Sequence, residues 1–176
     1  MSGSKHPAKY LLDSNPFIEA KNRYYGFGIC PGFWKAILDQ HGKGRVESIV
    51  PVHDELMAQS DELSDWVKDK CPKEFFKKVE DQAVIDQLQQ MTEWVFSQSF
   101  TQPAQTEFAS VADGFVIAYA AANGLTVVTH EEYAPGAKKK VPMPNVCLEF
   151  DVPYVNTFEM LADLGVQLDL KTKRRR

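Results

Sequence analysis

The 176-residue sequence predicts an α/β fold, a three-layer sandwich with a short, mainly parallel central sheet flanked by helices. Short apolar runs alternate along the chain with longer segments of helical periodicity, which is the order expected of β-α-β units. The apolar run at residues 125–129 is β-branched and unbroken, as is typical of a central parallel strand covered on both faces. Hydrophobic residues make up 44% and charged residues 25%, which is ordinary for a soluble globular domain.

The N-terminal half is expected to contain two strands and three helices. Asn15 suits a helix N-cap and Pro16 the first helical position. Pro51 weakens the second strand, because proline cannot donate to a ladder. In order, the expected elements are a strand at 10–13, a helix from Asn15, a loop at 24–31, a helix at 33–42, a strand at 48–52 and one helix at 54–70.

The C-terminal half is expected to alternate helices with two further strands. Ser110 suits the N-cap of the helix before the central strand, and Gly124 suits its stop. In order, the expected elements are helices at 73–79 and 83–98, a loop at 101–107, a helix at 111–122, the strand at 125–129, a loop at 131–144, a short helix from 146, an edge strand at 153–155 and a helix at 157–164.

The length favours one domain, at residues 10–170, with a disordered N-terminus at residues 1–9 and a basic tail at residues 171–176. No apolar run approaches the roughly 20 residues that cross a bilayer, and the first residues lack a secretory segment. The cysteines are three and widely spaced, which argues against a zinc knuckle or disulfide framework and favours the cytoplasm. The net charge of −4 counts against a broad, non-specific DNA-binding surface.

Four acidic residues fall near the ends of the predicted strands. Asp13 ends the first strand, and Glu131 lies just past the strand at 125–129. Glu55 is expected to open the helix after the second strand, and Asp113 starts the helix that leads into the central strand. Because helix N-termini and strand carboxyl ends share one edge of a β-α-β sheet, we expect these acids to converge where open α/β folds bind ligands.

Each acid taken alone has an ordinary structural role. Asp13 could cap the following helix, Asp113 could favour the helix dipole, and Glu55 could lie on a solvated face. Together in one cleft, however, carboxylates repel each other unless some are protonated or a cation neutralises them. Oxygen-only ligands favour Mg²⁺ or Mn²⁺ over zinc, and a metal-bound water can attack phosphorus. The cluster therefore predicts metal-assisted hydrolysis of phosphodiester bonds.

Four motifs, in this order, resemble the PIN domain superfamily of VapC-like metal-dependent ribonucleases. They are Tyr-Leu-Leu-Asp-Ser-Asn at 10–15, Val-His-Asp-Glu-Leu at 52–56, Ala-Asp-Gly-Phe-Val-Ile-Ala at 112–118 and Val-Val-Thr-His-Glu at 127–131. More narrowly, the chain resembles a PIN-like family of unestablished function whose members tend to be encoded beside regulator-type proteins. The resemblance implies a Mg²⁺- or Mn²⁺-dependent endoribonuclease acting on RNA, as the toxin of a pair with a cognate antitoxin protein.

Carried over position by position, the resemblance makes Asp13, Glu55, Asp113 and Glu131 the catalytic metal ligands. The fourth motif departs from the family, which usually has Asp where this chain has Glu131. Glu132 beside it is an alternative fourth acid. The long segment between the second and third motifs is expected to be an inserted helical region that shapes the substrate channel.

Three polar residues receive supporting roles from the same resemblance. The hydroxyl group of Ser14 is expected to contact the metal ligands without binding the ion itself. Asn15 is expected to hold the loop that presents Asp13. Thr129 is expected to orient the acidic rim through its hydroxyl group.

The basic cluster Lys138, Lys139 and Lys140 is a candidate for RNA phosphate contact, with a solvated loop as the plain alternative. A haloacid dehalogenase-type phosphatase is disfavoured because Asn15 stands where that chemistry needs a second acid. The remaining alternative is a catalytically inactive PIN-like scaffold that binds RNA or protein. A homodimer is a further expectation.

Overall fold

The strands form one parallel sheet. A computed structural model describes residues 9–171, so the predicted N-terminus and basic tail fall almost wholly outside the described residues. The strands are β1 (Tyr10–Leu12), β2 (Val46–Ile49), β3 (Phe76–Lys77), β4 (Thr126–Val128) and β5 (Tyr154–Val155). Their order across the sheet is β3-β2-β1-β4-β5, and each pairing is parallel.

Helices flank this sheet, which confirms the predicted α/β sandwich. Within residues 9–171 the α-helices are α1 (Ser14–Glu19), α2 (Pro31–Gly42), α3 (Val50–Ala58), α4 (Glu62–Lys70), α5 (Gln82–Ser97), α6 (Gln102–Ser110), α7 (Ala112–Asn123), α8 (Met143–Glu149) and α9 (Thr157–Asp163). A π-helical turn (Ala20–Tyr24) continues α1, and a 3-10 turn (Lys73–Phe75) precedes β3. None of the described helices has the length and apolar character needed to span a bilayer.

The core sits on the two central strands, β1 and β4. Leu11, Leu12, Val127 and Val128 are buried, as expected of strands covered on both faces. The helix α7 packs across α5 and follows directly on α6. Gly114 allows this close approach, because a Cβ atom there would lie 2.9 Å from a methyl carbon of Leu88.

The second strand and the helix after it differ from the prediction. The strand β2 ends at Ile49, and Pro51 lies in the first turn of α3. Backbone N–H groups in the first turn have no acceptor within the helix, so a proline there costs no hydrogen bond. The single helix predicted at 54–70 is two helices, α3 and α4. The chain breaks between them because Ser60 takes a left-handed φ of 48° and Asp61 caps α4 through its side chain.

Two other predicted segments are also wrong. The segment 73–79 is a 3-10 turn followed by β3, a strand of two residues. The segment 101–107, expected to be a loop, belongs largely to α6, with Pro103 in its first turn. The first error arises because a strand of two residues carries too little pattern to be recognised. The second arises because a proline at a helix start resembles a helix breaker in the sequence.

The helix boundaries that matter for the site are shifted slightly. The first helix begins at Ser14 with Asp13 in the N-cap position, rather than at Asn15. The helix α7 takes Val111, not Ser110, as N-cap, and ends as predicted at Gly124, whose φ of 66° is left-handed. The predicted edge strand is confirmed as β5.

Candidate functional site

The carboxyl ends of β1 and β4 meet at the centre of the sheet. Tyr10, Leu11 and Leu12 pair with Thr126, Val127 and Val128, and β2 continues the sheet on the far side of β1. The backbone N–H of Asp13 donates to the carbonyl of Val128 at 3.1 Å, so the residues after both strands stay side by side. The chain continues from β1 to β2 on one side of this point and from β4 to β5 on the other. Open α/β sheets bind ligands at the carboxyl ends of the strands where the connections separate in this way.

Asp13 lies in this crevice, directly before the first residue of α1. It occupies the N-cap position of α1 but makes no side-chain capping hydrogen bond. Its carboxylate receives long contacts from the hydroxyl groups of Thr129, at 3.4 Å, and Ser14, at 3.5 Å. Only 1% of the residue is exposed. A carboxylate this buried, and only loosely hydrogen-bonded, is costly to keep ionised.

Three other acids act on Asp13 through their charge. Burial, followed by the negative charge of Asp113 and smaller effects of Glu131 and Glu55, raises the pKa of Asp13 to about 7. A backbone hydrogen bond from Ser14 opposes this increase. The structure therefore brings the four acids predicted from the sequence into one electrostatic neighbourhood, which we call the acidic cleft.

Asp113 shares this environment at the start of α7. Burial, followed by the charge of Glu131, raises its pKa to about 6, while Lys140 lowers it. Its position follows from the sequence, because Asp113 falls in the first turn of a helix that packs against the core. The close approach at Gly114 fixes that turn against α5 and α6.

Glu55 reaches the cleft from a different place than predicted. It does not open a helix but lies in the second turn of α3, because that helix begins at Val50. Its Oε1 atom accepts a hydrogen bond from the backbone N–H of Ala112 at 3.3 Å. This contact joins α3 to the start of α7 and places Glu55 beside Asp113.

Glu131 is held by two donors that sequence reasoning did not assign to it. Its Oε1 atom forms an ion pair with the Lys140 ammonium, and its Oε2 atom accepts from the backbone N–H of Met143 at 2.8 Å. The backbone N–H of Glu131 donates to the Thr129 hydroxyl at 3.2 Å. Thr129 thus contacts both Asp13 and Glu131, which is the geometry expected of an orienting residue, although that role stays a prediction.

The remaining predicted residues divide between the cleft and the surface. Glu132 is exposed, and the charge that acts on Asp13 is that of Glu131. Asn15 is half-buried in the first turn of α1 and, among the described contacts, makes no side-chain hydrogen bond. Lys138 and Lys139 are exposed and, within residues 9–171, form no ion pair. Lys140 alone of the three lysines enters the cleft.

The charges of the cleft act back on Lys140. Burial lowers the pKa of its ammonium, but the hydrogen bond and charge of Glu131 outweigh this, and Asp113 and Asp13 add to the increase. The pKa of Lys140 is therefore raised overall, and the side chain stays positively charged. Its single charge offsets part of the negative charge of four carboxylates.

The four carboxylates of the acidic cleft are ligands of the kind that a hard divalent cation prefers, but their side chains do not form a complete coordination site in this structure. In the part of the chain that the structure describes, no three His, Cys, Asp or Glu side chains are arranged as a complete ion site. Both oxygens of Glu131 are engaged by Lys140 and Met143. The four carboxylates nevertheless offer only oxygen ligands, which Mg²⁺ and Mn²⁺ prefer, and a cation would relieve the charge crowding around Asp13.

The structure is an α/β sandwich of PIN-like fold, with the acidic cleft at the point where β1 and β4 meet. A family model described as "Domain of unknown function (DUF4411)" matches residues 10–168, and the chain belongs to this family. No curated protein gives a significant sequence match.

One solved structure with a similar fold is the crystal structure of FitAcB from Neisseria gonorrhoeae. The TM-score is 0.53 at 17% sequence identity, and the alignment covers 85% of this chain and 98% of that chain. At this identity the likeness shows the fold alone.

Proposed function

We propose that the protein is a metal-dependent endoribonuclease that hydrolyses RNA phosphodiester bonds at the acidic cleft, with Mg²⁺ or Mn²⁺ as cofactor. One observation carries the proposal. Three carboxylates from three other segments, those of Glu55, Asp113 and Glu131, act through their charge on the buried Asp13, whose side chain caps no helix. A fold has little structural reason to gather these charges unless a cation binds among them.

Asp13, Glu55, Asp113 and Glu131 would hold the ion. When bound, the ion would lower the pKa of the attacking water molecule and stabilise the charge on the leaving oxygen. The chain itself would orient the ligands. The N–H of Ala112 fixes Glu55, and the Thr129 hydroxyl lies between Asp13 and Glu131.

Lys140 has a separate part in the proposal. Its ammonium stands at the mouth of the cleft, half-exposed, with one carboxylate partner. A flexible cation in this place can contact a phosphate oxygen of RNA as the strand approaches. Lys138 and Lys139 would add to the attraction as exposed charges nearby in sequence.

We further propose that the protein acts in the cytoplasm as the toxin of a toxin–antitoxin pair, neutralised by a cognate antitoxin protein. The order of the four acidic motifs and the PIN-like fold support this assignment. Expression of the wild-type chain should arrest growth, and expression of Asp13→Asn should not. Equal growth arrest by both chains would remove the toxin assignment.

The second candidate is a PIN-like scaffold that binds RNA or protein without cleaving it. The ion pair between Lys140 and Glu131 favours this alternative, because it already engages one of the four acids with an internal cation. A nuclease would cleave bound RNA when a divalent ion is added, whereas a scaffold would bind the RNA and leave it intact.

RNA cleavage in Mn²⁺, with and without chelator, tests the proposal. Wild-type protein should cut single-stranded RNA in Mn²⁺ and stop when EDTA is added, while Asp13→Asn and Asp113→Asn should not cut under either condition. The matched control is Asp54→Asn, an exposed acid next to Glu55 in sequence whose carboxylate contacts His53. This variant should cut like wild type. Cleavage that survives in Asp13→Asn, or that persists in chelator, contradicts the proposal.

A further inference from the structure

We propose that a cavity next to the acidic cleft binds one unpaired nucleobase of the RNA strand; this rests on the proposed action on RNA. The cavity has a volume of about 380 Å³ and opens at the carboxyl ends of β4 and β5. We call it the aromatic cavity. The lining residues used below are Thr129, Glu132, Tyr133, Asn156, Phe158 and Glu159.

The aromatic cavity is continuous with the acidic cleft. Thr129 and Glu131 belong to both, since they line the cavity and also contact or act on Asp13. An RNA strand whose phosphate lies over the cleft therefore has a neighbouring nucleotide at the cavity mouth. The volume falls in the range of roughly 300–1,000 Å³ that is usual for small-molecule pockets, which leaves room for a base.

Aromatic side chains at the cavity are exposed rather than packed away. Tyr133 is 51% exposed and Phe158 is 43% exposed. Tyr24, 49% exposed, supports Phe158 from the side, with ring centroids 5.2 Å apart in an edge-on arrangement. The ring of His130 lies 5.9 Å from that of Phe158 and is held by a 2.9 Å contact with the Thr157 hydroxyl. Exposed rings held in place by neighbours are the platform on which unpaired bases stack.

The polar lining favours a base over a phosphate. Glu132 and Glu159 place carboxylates at the cavity, and no Lys or Arg is found among the described residues that line it. These carboxylates would repel a phosphate group. They accept hydrogen bonds, however, and a nucleobase presents N–H donors at its edge. Asn156 and Glu159 also cap α9 through Oδ1 and Oε2, and among the described contacts the Asn156 amide nitrogen and the Glu159 Oε1 atom make no other hydrogen bond.

The test measures binding rather than cleavage, so it is independent of the nuclease activity. In an Asp13→Asn background with Mg²⁺ present, fluorescence anisotropy compares a short labelled single-stranded RNA with an abasic ribose-phosphate chain of equal length. Tyr133→Ala and Phe158→Ala should each weaken RNA binding by about 5- to 150-fold, the effect of losing one base–aromatic stack. Affinity for the abasic chain should not change.

Two controls separate stacking from folding. Phe96→Ala removes an aromatic ring that is 50% exposed on α5 and does not line the cavity, and it should leave RNA binding unchanged. Tyr133→Phe and Phe158→Tyr keep a stacking face and should restore affinity close to that of the parent.

The outcomes distinguish this proposal from the proposed nuclease function. Equal losses on RNA and on the abasic chain would overturn the base site, and so would unchanged RNA binding, which is the result if the cavity holds a protein side chain instead. If wild-type protein cuts no RNA while the base-dependent losses are observed, the nuclease proposal fails and the base site stands.

Discussion

Lys140 and Glu131 form an ion pair at the mouth of the acidic cleft, nine residues apart along a loop. The Glu131 side chain is 11% exposed, whereas that of Lys140 is 58% exposed. The ammonium therefore occupies one oxygen of a proposed metal ligand and offsets charge around Asp113 and Asp13. The protein carries its own cation at a place where a divalent ion is proposed to bind.

Replacing this cation should strengthen metal binding. In Lys140→Met the Oε1 atom of Glu131 loses its partner, and the cleft becomes more negative. Because a half-exposed ion pair contributes only about 0.2–1 kcal/mol, we expect Mn²⁺ affinity to rise by up to about fivefold in calorimetric titration. Lys139→Met, at an exposed neighbour, should bind Mn²⁺ like wild type. Weaker Mn²⁺ binding in Lys140→Met would mean that the lysine supports the site rather than competing for it.

The stability of the metal-free protein should fall as pH rises through the acidic range. The folded pKa of Asp13, about 7, lies above its ordinary value of 3.8, so between these values the folded state binds more protons than the unfolded state. The free energy of unfolding therefore decreases with rising pH in this window, by up to about 1.4 kcal/mol per pH unit for this one proton. Urea unfolding in chelator should show a loss on the order of 2–4 kcal/mol between about pH 4 and pH 8.

Asp13→Asn provides the control for this pH effect. The amide cannot ionise, so the variant should lose much less stability over the same range and should exceed wild type at the alkaline end. Asp113→Asn should remove a smaller part of the pH-dependent loss of stability, because the folded pKa of Asp113 is about 6. Wild-type stability that is flat or increasing with pH would show that Asp13 is not a crowded, buried carboxylate.

The Thr129 hydroxyl should matter for catalysis. Thr129 is buried, contacts Asp13 at 3.4 Å and accepts from the backbone N–H of Glu131 at 3.2 Å. Thr129→Val keeps the shape but removes both contacts, and RNA cleavage should fall by about 10- to 100-fold, the usual effect of losing an outer-shell partner. Thr129→Ser keeps the hydroxyl and should recover most of the activity. Full activity in Thr129→Val would assign the residue to packing alone.

Gly114 should be required for the position of Asp113. A Cβ atom there would lie 2.9 Å from Leu88 and 3.3 Å from the carbonyl oxygen of Phe108. Gly114→Ala should therefore destabilise the protein by about 1–3 kcal/mol in urea unfolding, as overpacking does. Adding Leu88→Ala should recover part of this loss by making room.

A second glycine serves as the matched control for that substitution. Gly42 ends α2, and a Cβ atom there would meet nothing within 4 Å. Gly42→Ala should leave stability near that of wild type. Equal effects of the two substitutions would indicate that backbone conformation, and not crowding at α7, causes the loss.

The sequence predicted the parts of the fold that carry strong local patterns. The apolar runs before Asp13 and Glu131 identify β1 and β4, and the alanine-rich helix after Asp113 identifies α7. Strand ends on parallel neighbours share one edge, so the meeting of these acids followed from topology. The strand β3 was missed because two residues carry too little pattern, and α6 was missed because Pro103 lies within its first turn.

Contacts made by long loops lie beyond sequence reasoning of this kind. The lysine cluster was visible at residues 138–140, but nothing local distinguishes Lys140 from its two neighbours. The loop must fold back on the cleft before one lysine meets Glu131. The aromatic cavity likewise joins Tyr133 to Phe158 across a long segment of chain, so it exists only in the folded molecule.

The most direct measurement of the central claim is a calorimetric Mn²⁺ titration of wild-type protein and of the four variants Asp13→Asn, Glu55→Gln, Asp113→Asn and Glu131→Gln. We predict one ion per chain in wild type and at least about a tenfold loss of affinity in each variant, because each removes one ligand. Asp54→Asn should bind like wild type. Wild-type protein that binds no Mn²⁺, or Asp13→Asn that binds it equally well, would contradict the claim that these carboxylates form one metal site.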